Sequence, residues 1–181
     1  MEDCCLADNP IEYGTKITKE GERYLVNPTY YKSIMGCLRY LTCTRTDIMF
    51  RVSLINIYIE KPRSSHLKTT KRILRFVKGT SRYGLFYLSS QNLEITGYSD
   101  SDWAGSLEDI KSTTGFVFFM GETTFTWTSK KQSIVALSTC EAEYIAAVSC
   151  VCHAIWLRKL KEDLQQKHSK ATRIFVDNKS A

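Results

Sequence analysis

The sequence contains no internal repeat, no low-complexity tract and no uninterrupted apolar run approaching membrane-spanning length. A repeat architecture and a membrane partner are therefore not expected. No charged and then apolar leader precedes the first cysteines, because Met1 is followed by Glu2, Asp3, Cys4 and Cys5. The seven cysteines are an odd number, and four sit in close pairs, Cys4 with Cys5 and Cys150 with Cys152. A disulfide framework and secretion are not expected, and a reducing compartment is. Acidic residues are also missing from one long stretch. From Lys61 to Arg82 the chain carries eight cations and no Asp or Glu.

What is present suffices for a packed core. The chain has 181 residues, 12% of them aromatic, and a formal charge of +6, enough for one domain or a domain with a small extra unit. Residues 1–26 are polar and read as irregular, either poorly packed or lying across a neighbour. Asn27-Pro28 is a helix start, followed by Tyr31, Ile34, Met35, Leu38 and Leu41 at helical spacing. Ile48, Val52, Ile55 and Ile59 mark a second helix closed near Pro62, and Ser65 opens a third that ends at Gly79. After that the period changes. Tyr83–Leu88, Leu93–Ser101, Gly115–Met120 and Thr123–Thr128 read as strands, with Gly121-Glu122 as a tight turn. Ser138–Asp163 reads as a long helix with Ile145, Val148, Cys152, Ile155 and Leu160 on its packed face, and Arg173–Asp177 as a last strand. Strands, a helical crossover and a further strand predict an α/β mixed sheet with a packed helix, preceded by a small all-helical subdomain. The expected divisions are 1–26, 27–82 and 83–181.

Three acids stand at chemically suggestive places in this order. Asp100 and Asp177 close strand-like runs, and Glu143 lies in the first turns of the long helix. Such acids can meet at one end of a sheet, where mutual repulsion favours a divalent cation held by oxygen ligands. Each has a structural alternative. Asp102 shares a strand face with Asp100, Glu141 lies three residues after Ser138 and fits a capping box, and Asp177 could be a turn residue beside Asn178.

The strings G-Y-S-D-S-D-W-A-G, K-S-T-T-G-F-V-F, W-T-S-K-K-Q, A-L-S-T-C-E-A-E-Y-I-A and V-D-N-K-S-A resemble the ribonuclease H domain of copia-type LTR retrotransposon Pol polyproteins. Upstream, N-P-T-Y-Y-K-S-I-M-G-C-L-R-Y-L-T-C-T-R and H-L-K-T-T-K-R-I-L-R-F-V-K-G-T resemble the C-terminal, thumb- or connection-like part of the reverse transcriptase of the same polyprotein. Thr46 departs from the Pro usual in that family. The resemblance implies a ribonuclease H-like fold. It implies hydrolysis of the RNA strand of an RNA/DNA hybrid by two magnesium ions about 4 Å apart. It selects Asp100, Glu143 and Asp177 as catalytic, metal-holding residues. It also implies RNA/DNA hybrid or other nucleic acid and the rest of the Pol polyprotein as partners, and a cytoplasmic (virus-like particle) or nuclear place. The family's fourth acid, its basic loop and the segments closing the sheet are expected after D-N-x-S-A. The chain ends at Ala181, so the expectation is a C-terminally truncated fold with weak or lost nuclease activity. The polymerase palm would lie before Met1, and no polymerase activity is expected.

Lys68, Lys71, Arg72, Arg75 and Lys78 form a cationic stripe on the third helix, suited to tracking a phosphate backbone. Lys130 and Lys131, ahead of the long helix, are further candidate phosphate contacts. A non-catalytic, nucleic-acid-binding remnant is the alternative function. Cys150-Val151-Cys152-His153 reads as helix packing, since residues two apart on a helix point in different directions. Arg72-Ile73-Leu74-Arg75 matches the R-x-L-R tetrapeptide of secreted effectors, but it falls inside a helix explained otherwise.

Overall fold

A computed structural model describes residues 4–12, 14–15, 17–19, 24–89, 93–106, 108–166 and 170–178. The chain divides into two units, Met1–Leu85 and Phe86–Ala181.

The first unit is helical: α1 (Pro28–Leu41), a 3-10 turn (Thr46–Ile48), α2 (Met49–Asn56) and α3 (Ser64–Gly79). Asn27 caps α1, its Oδ1 accepting from the N–H groups of Thr29 at 2.9 Å and Tyr30 at 3.3 Å, while Pro28 occupies the position whose N–H is otherwise unpaired. Tyr31, Met35 and Leu38 then line one side of α1 and pack with Ile48, Val52, Ile55 and Ile73. The Tyr31 hydroxyl donates to the Ile55 carbonyl at 3.2 Å, which satisfies a polar tip inside this core. At α3 a histidine does the work that Glu or Gln does in the usual capping box. The Arg63 N–H donates to His66 Nδ1 at 3.0 Å, so Nε2 carries the proton and donates to the Thr18 carbonyl at 2.9 Å. The His66 ring is fully buried and stacked on Tyr58.

Of the two expectations for the N-terminal segment, its described part follows the second and lies across its neighbours. Its described part is irregular, but Ile11 is only 4% exposed and belongs to the core. Val26 N–H also donates to the Pro62 carbonyl at 2.9 Å. One apolar residue in a polar run leaves no periodic signal, although burying it holds the segment down.

The second unit contains β1 (Ile95–Asp102), β2 (Thr113–Met120), β3 (Thr123–Lys131), α4 (Thr139–Asp163) and β4 (Arg173–Val176). The sheet order is β3-β2-β1-β4, with β4 parallel to β1 and the other pairs antiparallel. The unit is thus mixed α/β, a four-stranded mixed sheet with one long helix. Gly121, at φ +61°, makes the β2–β3 turn. Tyr83–Leu88 carries no strand. Tyr83, Phe86 and Tyr87 are exposed, and the Leu88 N–H donates to a side chain, Thr123 Oγ1, rather than to a β-ladder. Its aromatic content resembles a strand, but no described strand pairs with it.

The packed face of α4 is also not the expected one. Ala142, Ala146, Cys150, Ala154 and Leu157 are buried, whereas Val148, Cys152, Ile155 and Leu160 are exposed. The sheet supplies the bulk through Phe116, Phe118 and Phe125, so the helix approaches with its small residues. By length and composition α4 is long and apolar enough to cross a membrane, although charged residues interrupt its apolar stretch. Its buried face nevertheless carries Glu143 and Lys161, and Lys161 Nζ donates to the Leu93 carbonyl at 2.6 Å. Cys150 is buried and Cys152 exposed, and His153 lies among the rings of Phe116, Phe118 and Trp156.

Gly97 is where β1 admits the Phe118 ring, because a Cβ there would lie 2.6 Å from its Cε1. Gly97→Ala is expected to destabilise the second unit by about 1–3 kcal/mol through overpacking. Urea unfolding followed by near-ultraviolet circular dichroism measures it, and an unchanged midpoint would show that the ring yields freely.

Candidate metal centre

Three elements of the second unit converge on a carboxylate cluster. The parallel register sets Ser99 opposite Val176, so the next residues along, Asp100 and Asp177, are neighbours at the end of the β1–β4 pair. Glu143 is the fifth residue of α4 and only 5% exposed. One carboxylate oxygen from each of the three lies within 4.8 Å of the others.

The start of α4 is held from two sides. Ser138 Oγ accepts from the Glu141 N–H at 3.1 Å, and the Glu141 carboxylate accepts from the Leu137 N–H at 2.7 Å. Glu141 therefore lies in a reciprocal cap, one residue out of the usual register. Gln132 supplies the second tie. Its Nε2 donates to Thr114 Oγ1 at 3.1 Å and to the Ala142 carbonyl at 3.0 Å, linking β2 to the residue before Glu143. Gln132 stands in the W-T-S-K-K-Q string, but nothing in the string signals this role; only the contact does. Asp102 lies against Gly105, where a Cβ would collide with its carboxylate.

The electrostatics of the cluster are unfavourable as it stands. Burial raises the Glu143 pKa above the ordinary carboxylate range, and the charges of Asp100 and Asp177 raise it further, while the Ser101 N–H opposes them. Glu143 Oε2 is buried and has no hydrogen-bond partner. The Ser101 N–H donates to Asp100 Oδ1 at 2.7 Å, fixing that carboxyl on its strand. An all-oxygen donor set with a buried orphan acceptor fits a hard divalent cation, which would remove both the repulsion and the unmet acceptor.

The predicted cationic residues do not form one free stripe. In the first unit Lys68, Lys71 and Lys78 are exposed, but Arg72 Nη1 pairs with Glu12 at 2.6 Å and Arg75 is half-buried. The tetrapeptide Arg72-Ile73-Leu74-Arg75 lies inside α3, with Ile73 fully buried in the core. In the second unit Lys130 is exposed, whereas Lys131 Nζ pairs with Asp109 at 2.7 Å and donates to Ser106 Oγ at 2.8 Å. Burial alone would raise the Asp109 pKa. The hydrogen bonds from Lys131 and Ser106, the Lys131 charge and the Lys111 N–H together bring it to about 2. A depressed carboxylate contributes stability that is full above its unfolded value, 3.8, and is lost as pH falls towards 2. Lys131→Met is therefore expected to lower stability at neutral pH and to flatten its loss below pH 3.8. Thermal unfolding of both proteins across that range checks it, and parallel curves would count against the pair.

No protein-family profile and no solved structure matches the chain. Sequence relatives do. The Retrovirus-related Pol polyprotein from transposon RE1 of Arabidopsis thaliana is 34% identical over 172 residues, 95% of this chain and 12% of that protein. The corresponding protein from transposon TNT 1-94 of Nicotiana tabacum is 38% identical over 152 residues, 83% of this chain and 11% of its own length. Secreted RxLR effector protein 161 of Plasmopara viticola is 38% identical over 128 residues, 70% of this chain and 90% of that protein. The chain thus spans about one eighth of the Pol polyproteins it matches. With most of its length aligned to such proteins, the chain belongs to the family of copia-type retrotransposon Pol polyproteins.

Proposed function

We propose that the second unit is a ribonuclease H-like domain that hydrolyses the RNA strand of RNA/DNA hybrids with magnesium. The observation that carries this reading is the convergence of Asp100, Glu143 and Asp177 within 4.8 Å, with Glu143 Oε2 buried and unpartnered. The mixed sheet with its long helix is compatible with that fold, and kinship with Pol polyproteins supplies a nucleic-acid context. Asp100, Glu143 and Asp177 would hold the magnesium ions, which activate water and stabilise the leaving oxygen when bound. The protein's part is to fix the three carboxylates. Asp100 is held by the Ser101 N–H, Asp177 by the strand pairing that ends at Val176, and Glu143 by the α4 cap and the Gln132 bridge. By this reading the first unit corresponds to the end of a reverse transcriptase. Its exposed Lys68, Lys71 and Lys78 would add salt-sensitive attraction to phosphates. Lys130 is the corresponding candidate on the second unit. A binding-only protein is the second reading, favoured by those same exposed lysines. The effector reading has Arg72 and Arg75 against it, because they sit on a core helix with Arg72 already ion-paired.

Incubation of the purified chain with labelled RNA/DNA hybrid and magnesium is expected to give shortened RNA products, and Asp100→Asn to lower the rate by more than about 100-fold. Equal rates would refute the assignment, and hybrid binding without cleavage in both proteins would leave the binding-only reading. A second measurement avoids turnover. Without metal, Asp100→Asn relieves repulsion and is expected to stabilise the second unit by about 1 kcal/mol, roughly 4–8 °C in Tm. Magnesium should then raise the Tm of the parent and not of the variant. A variant that responds to magnesium like the parent would place the ion elsewhere.

A further inference from the structure

One side of α4 meets the sheet, and a second side is left open. Tyr144, Val148, Val151 and Ile155 are 57%, 59%, 43% and 51% exposed. Their spacings of four, three and four put them in one line along the helix, away from the buried line of Ala146, Cys150 and Ala154. Alternating steps of three and four are the spacing by which two helices pack along a shared seam. Apolar residues scattered singly over a surface are ordinary, whereas a continuous row of four is a contact surface.

Opposite charges bound this row. Glu141 precedes Tyr144 by three residues, and Arg158 follows Ile155 by three, so the same alternation continues to both. The midpoint of the six falls between Ser149 and Cys150, and the pattern is symmetrical about it. Val148 and Val151 are equally far from that point, as are Tyr144 and Ile155, and Glu141 and Arg158. A second copy of α4 laid antiparallel therefore sets Val148 against Val151, Tyr144 against Ile155 and Glu141 against Arg158, each twice. A parallel copy would instead set Glu141 against Glu141 and Arg158 against Arg158. Both end residues keep bonding capacity. Glu141 uses Oε2 to accept from the Leu137 N–H, and Arg158 uses Nη1 to donate to the Lys170 carbonyl, which leaves a carboxylate oxygen and further guanidinium N–H groups.

We propose that α4 joins two copies of this chain as an antiparallel pair centred between Ser149 and Cys150. A two-fold contact requires a surface that complements itself, and a row of apolar residues between charges of opposite sign does so. Burial of the apolar side chains of both copies drives association, while the ion pairs at the two ends fix direction and register. A lipid surface suits this side less well, because it would leave charges of both signs unanswered at the ends of the row. From Glu141 to Arg158 the helix rises about 26 Å, a small contact, so association in the micromolar range is expected. Glu143 lies on the buried side of α4, so the pairing does not involve the carboxylate centre and needs no metal.

Sedimentation equilibrium of the full chain without metal, from about 1 to 300 µM, is expected to show a monomer–dimer equilibrium. Val148→Asp changes an exposed residue that enters the dimer twice, so a tenfold loss per copy should raise Kd about 100-fold. Tyr40→Ser removes an aromatic that is 83% exposed on α1 and should leave Kd unchanged. Arg158→Glu, which faces two carboxylates at each end, should weaken the dimer about tenfold. Adding Glu141→Arg to it should restore association, because the ion pair is then rebuilt in reverse. A parent that stays monomeric overturns the proposal, and flotation of that monomer with phosphatidylserine vesicles would assign the row to lipid instead. A dimer indifferent to Val148→Asp, equal weakening by Val148→Asp and Tyr40→Ser, or a double variant no tighter than Arg158→Glu alone also overturns it. If far-ultraviolet circular dichroism shows that the double variant, which lacks the Glu141 cap, does not fold, Val148→Asp against Tyr40→Ser decides.

Discussion

The carboxylate centre depends on how closely α4 lies on the sheet, and that closeness rests on an exchange of side-chain size between two surfaces. The sheet brings Phe116, Phe118 and Phe125, and the helix brings Ala142, Ala146, Cys150 and Ala154. Gly97 opens the space in β1 that Phe118 fills. With larger residues on the helix the axis would stand further off, and Glu143 would lose its reach to Asp100 and Asp177. The inert packing of the core and the chemistry at its end are thus parts of one geometric condition. It also explains why the larger apolar residues of α4, Val148 and Ile155 among them, are left facing outward.

Electrostatics oppose that condition. Burial and two neighbouring negative charges push Glu143 towards its neutral form, and no described residue answers its Oε2. Around this conflict the backbone is firmly set: Ser138 and Glu141 complete the start of α4, and Gln132 fastens its first turn to β2. A rigid frame around an unfavourable charge cluster is what the proposed cation site requires, because the geometry is set before an ion binds. Elsewhere the conflict would be relaxed by a small backbone shift; here three elements would have to move together.

The first unit solves its own problems with polar groups inside an apolar core. Tyr31 reaches the Ile55 carbonyl, and His66 serves both the start of α3 and the Thr18 carbonyl. The His66 bond to Thr18 ties the irregular N-terminal segment to α3, and Arg72 adds an ion pair to Glu12. The tetrapeptide in α3 is therefore a stretch of packed helix, with Ile73 inside and both arginines turned to the N-terminal segment. Similarity to a protein named as a secreted effector and to transposon polyproteins describes one stretch of sequence shared by both.

Local chemistry was enough to find most elements. Asn27-Pro28 marked the first helix, Gly121-Glu122 marked the hairpin, and Ser138 with Glu141 marked the start of α4, because capping and turn signals act over a few residues. The motifs around Asp100, Glu143 and Asp177 likewise singled out three acids among many. Other features were illegible for physical reasons. The apolar residues of α4 cover more than one side, so periodicity alone could not tell that the small ones face the sheet. Tyr83–Leu88 had strand-like side chains, yet a strand exists only where another strand supplies hydrogen bonds. The cationic stripe on α3 was read from spacing, but pairing of Arg72 with a residue sixty positions away is invisible to spacing. The sequence by itself thus determined where the capped helices and the hairpin turn lie and which acids are candidates. Only the tertiary structure decided which faces meet, which charges are already paired, and that three distant carboxylates stand within 4.8 Å, since these depend on contacts between segments remote along the chain.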